Sequence, residues 1–129
     1  MARATRYRHQ VRYFETDQQG VVFNMWYLGY FDEAMTAFLA EGGLAYADMV
    51  AAGFDVQLVR SEIDWRSPLR FGDEAVIEVR TGRVGRTSFT LEFAITGNAE
   101  VRAATTYVVV ATDGSGPQPI PALLAGVLD

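Results

Sequence analysis

Between Asn24 and Glu41 the residues Leu28, Phe31, Met35, Phe38 and Leu39 recur at spacings of three and four. That single apolar stripe predicts one long helix with one face to bury, from about Asn24 to about Glu41. Gly42-Gly43 supplies a stop, and Asn24 is a favoured N-cap, its side-chain oxygen able to accept one of the first free backbone N–H groups. A second, short helix is expected from about Ala45 to Ala52, ending at Gly53.

What the long helix can pack against is dictated by the rest of the chain, which alternates. Tyr7, His9, Val11 and Tyr13 fall on one face of a first strand and Arg8, Gln10 and Arg12 on the other. After the helices, Val56 to Trp65, the run around Ile77 and Val79, Ser88 to Ile95, and about Glu100 to Ala111 read as four further strands. The continuous apolar run Tyr107-Val-Val-Val-Ala111 implies burial on both faces or a subunit contact. A tail with Pro117, Pro119 and Pro121 closes the chain. About five antiparallel strands around one helix make an α+β domain, and the 129 residues, half of them hydrophobic, suffice for one such domain spanning 1–129.

Composition narrows the chemistry. There is no cysteine, which excludes disulfides, thiolate metal sites and cysteine nucleophiles and fits a reducing compartment, so a cytoplasmic location is expected. No apolar stretch approaches the roughly 20 residues that cross a bilayer, and the start is polar, so a soluble, unprocessed protein without a membrane partner is expected. A net charge of −5 offers nothing to nucleic acid. All eleven basic residues are arginine, and Arg60, Arg66, Arg70, Arg80, Arg83 and Arg86 fall in one stretch. Most are expected to be solvated strand-face residues, although the guanidinium fork also suits phosphate.

The segment from Val11 to Ala34 carries the chemistry. It places a carboxylate, Asp17, on a short loop just before a helix whose first N–H groups are unpaired. Such a helix end stabilises an anion, whether a phosphate or the oxyanion that forms when a carbonyl is attacked. An ionised aspartate beside it can attack a thioester or deprotonate water. Gly20 lets the loop backbone approach a substrate closely. On these residues alone, an acidic turn former that pairs with the helix dipole is the competing account.

Asp17, Gly20, the apolar Val21-Val22-Phe23 and the helix from Asn24 together resemble the signature of the 4-hydroxybenzoyl-CoA thioesterase family of hotdog proteins. The resemblance continues through Trp65-Arg-Ser-Pro-Leu-Arg-Phe-Gly-Asp73 and Val84-Gly-Arg-Thr-Ser-Phe89 to Ile120-Pro121, nearly the whole chain. It implies a hotdog fold, a sheet curled around the central helix, with two sheets joined edge to edge in a homodimer or a homotetramer built from dimers. It also implies an acyl-CoA substrate, or an acyl carrier protein thioester, bound at the subunit boundary. By the same resemblance Asp17 acts as nucleophile or general base and the Asn24 backbone N–H polarises the thioester carbonyl. Gly20, Val21 and Tyr27 are candidate substrate-binding residues. In such proteins CoA phosphates meet basic side chains near the surface, for which Arg83, Arg86, Thr87 and Ser88 are the candidates by position. Many relatives carry histidine or tyrosine where this chain has Asn24, so only the backbone N–H at that position transfers directly.

The alternative within the same fold is a non-catalytic acyl-CoA-binding module, against which the retained Asp17 stands. A dehydratase or isomerase would need a histidine on a loop or helix, and His9, the only histidine, lies on the first strand's apolar face. Glu62 and Asp64 share a strand face in the manner of solvated neighbours. Trp26, Tyr27 and Tyr30 at the helix start suit a pocket, the core or an interface. No residue set has metal-ligand or phosphate-loop spacing, so neither metal nor cofactor is expected.

Overall fold

The computed structural model describes residues 3–129. Strand β1 (Ala4–Gln10) leads through a 3-10 turn (Tyr13–Glu15) and a tight loop into helix α1 (Asn24–Glu41). Helix α2 (Tyr46–Ala52) follows, then β2 (Asp55–Trp65), β3 (Glu74–Val84), β4 (Ser88–Gly97), β5 (Glu100–Thr112) and a terminal helix α3 (Ala122–Leu128). The five strands form one antiparallel sheet in the order β1-β3-β4-β5-β2.

Alternation puts Ala75, Ile77 and Val79, then Phe89, Leu91, Phe93 and Ile95, then Ala103, Tyr107, Val109 and Ala111 on the inner face, all buried. Helix α1 lies across that face with Tyr27, Tyr30, Phe31, Ala34, Phe38 and Leu39 buried. Phe31 sits at its centre, 5.3 Å from the Phe93 ring and 6.2 Å from Tyr107. Each such aromatic contributes about 1.5–3 kcal/mol by burial, which is why the sheet curls around this helix in the hotdog manner.

The helix bounds agree with the sequence reading, but its buried face is turned. Leu28 is 39% exposed and Met35 half-buried, while Tyr27 and Tyr30 take the inward places. Both tyrosines have hydrogen-bond partners inside, so burying them costs little. Tyr27 Oη accepts the Leu69 N–H at 3.2 Å, and Tyr30 Oη donates to Glu15 at 2.9 Å. β1 also ends earlier than expected: Tyr13 is 76% exposed in the 3-10 turn, where the Arg12 C=O accepts the Glu15 N–H and breaks the alternation. The proline tail ends in α3, whose Leu124, Val127 and Leu128 are buried.

The two sheet edges differ. β1 is short and carries exposed ion pairs to β3, Arg6–Glu78 at 3.2 Å and Arg8–Glu74 at 3.0 Å, charges that discourage further pairing. β2 has 11 residues, pairs only with β5, and bulges at Val59, which is largely exposed. No helix among the described residues is long and apolar enough to cross a membrane.

Candidate active site

The loop after the 3-10 turn is a small hairpin. Thr16 bridges Val22, the Asp17 N–H donates to the Val21 carbonyl at 2.9 Å, and the Gly20 N–H returns to the Asp17 carbonyl at 2.9 Å. Gly20 has φ +79°, a left-handed conformation that a side chain would strain, and open space lies where its Cβ would be. The hairpin is pinned to the β2–β3 connection, since Val21 bridges Arg70 and the Val22 N–H donates to the Leu69 carbonyl at 2.8 Å. Asp17 is half-buried, and its Oδ1 accepts the Gln19 N–H at 2.8 Å. That bond orients the carboxylate and leaves Oδ2 without a protein partner among the described residues.

Two residues past the hairpin the helix begins. Phe23 is its N-cap, with extended backbone (φ −64°, ψ 137°), and the cap has no side-chain hydrogen bond. Asn24 is therefore the first helical residue rather than the cap expected from sequence. The Phe23 position is set by the backbone, its N–H donating to the Glu15 carbonyl and its own carbonyl accepting the Trp26 N–H, both at 2.9 Å. The N–H groups of Asn24 and Met25 have no acceptor among the described residues. An 18-residue helix thus presents two unpaired donors at its positive end, and the Asp17 hairpin leads directly into it through the Phe23–Glu15 backbone bond.

Under the hairpin lies a buried carboxylate that the sequence reading passed over. Glu15 Oε1 accepts from the Arg12 N–H at 2.8 Å and the Tyr30 hydroxyl at 2.9 Å, and meets His9 Nε2 at 2.9 Å. Burial alone would raise its pKa, but the bonds from Arg12, His9 and Tyr30 outweigh that and hold the carboxyl below its ordinary value. Burial, reinforced by the same carboxylate, pushes the Tyr30 hydroxyl far up, so it stays a donor.

The remaining expected site residues divide. Val21 flanks the hairpin half-buried, but Tyr27 is a core residue, only 2% exposed and in edge contact with Trp65. Tyr27 therefore presents almost no surface to a ligand in the single chain. Arg83, Arg86, Thr87 and Ser88 gather at the β3–β4 hairpin, where the Gly85 N–H donates to the Ser88 carbonyl. That turn is at the far end of the sheet from Asp17, about 30 Å away along ten residues of strand. Arg83 and Arg86 have no carboxylate partner among the described residues, whereas Arg60 and Arg80 pair with Glu62 and Glu92. Arg70 was not singled out from sequence, yet its bridge to Val21 sets it at the Asp17 end; only its place in the arginine-rich stretch hinted at this.

Around the hairpin and helix start, Phe14, Phe23, Met25, Trp65 and Phe71 are exposed. A cleft of about 280 Å³ between β1 and α1 and one of about 160 Å³ beside Met35 and Met49 are lined by neither Asp17 nor Asn24. The described residues hold no His/Cys/Asp/Glu cluster suited to a metal.

The model of the thioesterase superfamily matches residues 19–104, well over half of the chain. The chain belongs to the thioesterase superfamily. The match takes in Gly20, Val21 and Asn24 and begins two residues after Asp17. An Aquifex aeolicus protein, named provisionally as an esterase, is 32% identical over 89 residues, 69% of this chain and 70% of its own. The structure of a gentisyl-coenzyme A thioesterase is 25% identical, with a TM-score of 0.87 over 96% of this chain and 98% of that one. A Thermus thermophilus thioesterase complexed with coenzyme A and zinc is 29% identical, with a TM-score of 0.82 over 95% of this chain and 90% of that one. This thioesterase is thus a thioester hydrolase of the hotdog fold.

Proposed function

We propose that the chain hydrolyses an acyl-CoA to free acid and CoA at a site formed by Asp17 and the start of α1. The observation that carries this reading is the juxtaposition of an oriented, half-buried carboxylate with the two unpaired N–H groups of Asn24 and Met25. A thioester carbonyl set on those donors is polarised, and the oxyanion formed on attack is stabilised where its charge develops. Asp17 either attacks the carbonyl carbon itself, expelling the CoA thiolate and leaving a mixed anhydride that water hydrolyses to the acid and the regenerated carboxylate, or takes a proton from a water that attacks the carbonyl and displaces the thiolate directly. The coenzyme A complex of the Thermus relative supports the carrier; a carrier protein thioester offers the same reacting atoms.

Two features favour assembly of this site between subunits. The apolar residues exposed around Asp17 call for a cover. In addition, the arginines suited to CoA phosphates are at the opposite end of their own sheet. Pairing the open β2 edge with a second β2 about a twofold axis is antiparallel, and it sets the partner's β3–β4 turn at the end of the joined sheet that holds Asp17. Arg83, Arg86, Thr87 and Ser88 would then serve the nucleotide end across the boundary, with Gly20 and Val21 at the acyl end.

The test is thiol release from a panel of short, long, branched and aromatic acyl-CoA substrates, with wild type, Asp17→Ala and Asp17→Asn compared at matched folded concentration. Loss of about a hundredfold or more in both variants is expected of an essential catalytic group. Turnover equal to wild type in the variants would make Asp17 a turn residue. Binding without turnover in the wild type would favour a ligand-sensing module.

A further inference from the structure

We propose that Glu15 is the positioning residue of this thioesterase, one buried carboxylate oxygen that locks the Asp17 hairpin and the first free N–H of α1 into a single frame. The inference rests on the Asp17 and Asn24 reading above. Glu15 is only 3% exposed; with His9 and Tyr30 it lines the cleft between β1 and α1, which Asp17 does not line, and it acts on the Asp17 site through its neighbours.

The three groups around its Oε1 come from three different pieces of chain. His9 belongs to β1, the Arg12 N–H to the segment that leaves β1, and Tyr30 to the second turn of α1. The His9 and Tyr30 rings also touch, with centroids 4.5 Å apart, which limits how either can turn. The main chain of Glu15 completes the frame, because its carbonyl accepts the Phe23 N–H immediately before Asn24. Glu15 itself is two residues before Asp17. One residue is therefore tied to the carboxylate by chain connectivity and to the helix donors by a hydrogen bond.

Packing gives no reason for a charge here. A buried carboxylate with all its donors matched gains the fold little over an apolar residue of similar size, whereas it fixes relative positions that an apolar contact would leave soft. Displacing reacting groups by about 1 Å is enough to lower a rate by about a hundredfold.

The experiment compares kcat and KM for thiol release in wild type, Glu15→Ala, Glu15→Gln and Asp17→Ala, using the best acyl-CoA of the panel. Concentrations are matched by near-UV circular dichroism. Glu15→Ala is expected to lower kcat by at least about thirtyfold with KM within about threefold, because the groups that react are misplaced rather than the substrate's grip lost. The amide of Glu15→Gln keeps an acceptor oxygen in place and should restore kcat to within about fivefold of wild type. A folded Glu15→Ala with wild-type kcat, or Ala and Gln variants equally impaired, overturns the proposal. If Glu15→Ala does not fold, Tyr30→Phe and His9→Leu each remove one partner of the same oxygen and should each lower kcat about threefold or more. Wild-type kcat in both then overturns it. Unchanged turnover in Asp17→Ala overturns instead the site reading beneath it, so the two failures are distinct.

Discussion

A proline at position 24 would remove one hydrogen-bond donor and little else. Asn24 is the first residue of α1, the position where proline's fixed φ suits a helix and its missing N–H breaks no helical bond. Phe23 before it is already extended at φ −64° and ψ 137°, as a residue preceding proline must be. If the Asn24 N–H polarises the thioester, Asn24→Pro should lose about a hundredfold in kcat, the usual loss for one oxyanion donor, while Asn24→Ala stays within about tenfold. Thiol release with far-UV circular dichroism on both variants checks this, and equal activity would assign the work to Met25 alone. At this scale the spacing of Asp17, Gly20 and the helix start was legible because turn chemistry and helix ends are local. Glu15 was not legible: what distinguishes it is three donors converging from residues 9, 12 and 30, and no local pattern marks that. The Asn24 cap was misread for a related reason. The Glu15–Phe23 backbone bond, set by the hairpin, moves the cap one residue earlier.

At the scale of elements, α1 and the strands could be read because each has an apolar face with its own period. The turn of the α1 face towards Tyr27 and Tyr30 could not, since whether a tyrosine goes inside depends on an acceptor or donor waiting there. Helix α3 was hidden behind three prolines, yet Pro121 is its N-cap, a place where proline's lack of an N–H costs nothing. It docks on the α1 end, where the carbonyl of Val127 accepts from Arg3 at 3.0 Å and a Cβ on Gly42 would meet Val127 at 2.5 Å. This contact makes α3 part of the core rather than an appendage, with Leu124 fully buried. Leu124→Ala should accordingly destabilise the fold by about 2–5 kcal/mol, measured as a lower urea midpoint with an unchanged slope. A loss under about 0.5 kcal/mol, as at a surface position, would mean that α3 is not held there.

For the molecule as a whole, the deciding fact is that Asp17 and the candidate phosphate-binding pair Arg83 and Arg86 occupy opposite ends of one sheet, with Arg70 at the Asp17 end. Helix α1, about 27 Å long, spans nearly that distance, so no plausible loop movement within a chain unites them. The β2 edge, which pairs only with β5 and also carries an exposed ion pair, Arg60–Glu62, is the proposed joint. If each proposed site takes Asp17 from one chain and Arg83 and Arg86 from the other, two separately defective variants should repair each other. On that reading Asp17→Ala should be inactive for want of chemistry, and Arg83→Ala with Arg86→Ala should be weak for want of a grip on the nucleotide. Mixed and allowed to exchange in equal amounts, half of the dimers pair one chain of each kind, and each of these holds one intact site and one doubly defective site. Activity at low acyl-CoA should then rise to about a quarter of the wild type, above either variant alone. Activity equal to the mean of the two separate variants, with exchange verified by mass labelling, would place both halves of the site within a single chain or dismiss the arginines from it. The salt dependence of KM separates those outcomes, since phosphate contacts weaken as ionic strength rises and an arginine that never meets CoA leaves it unchanged.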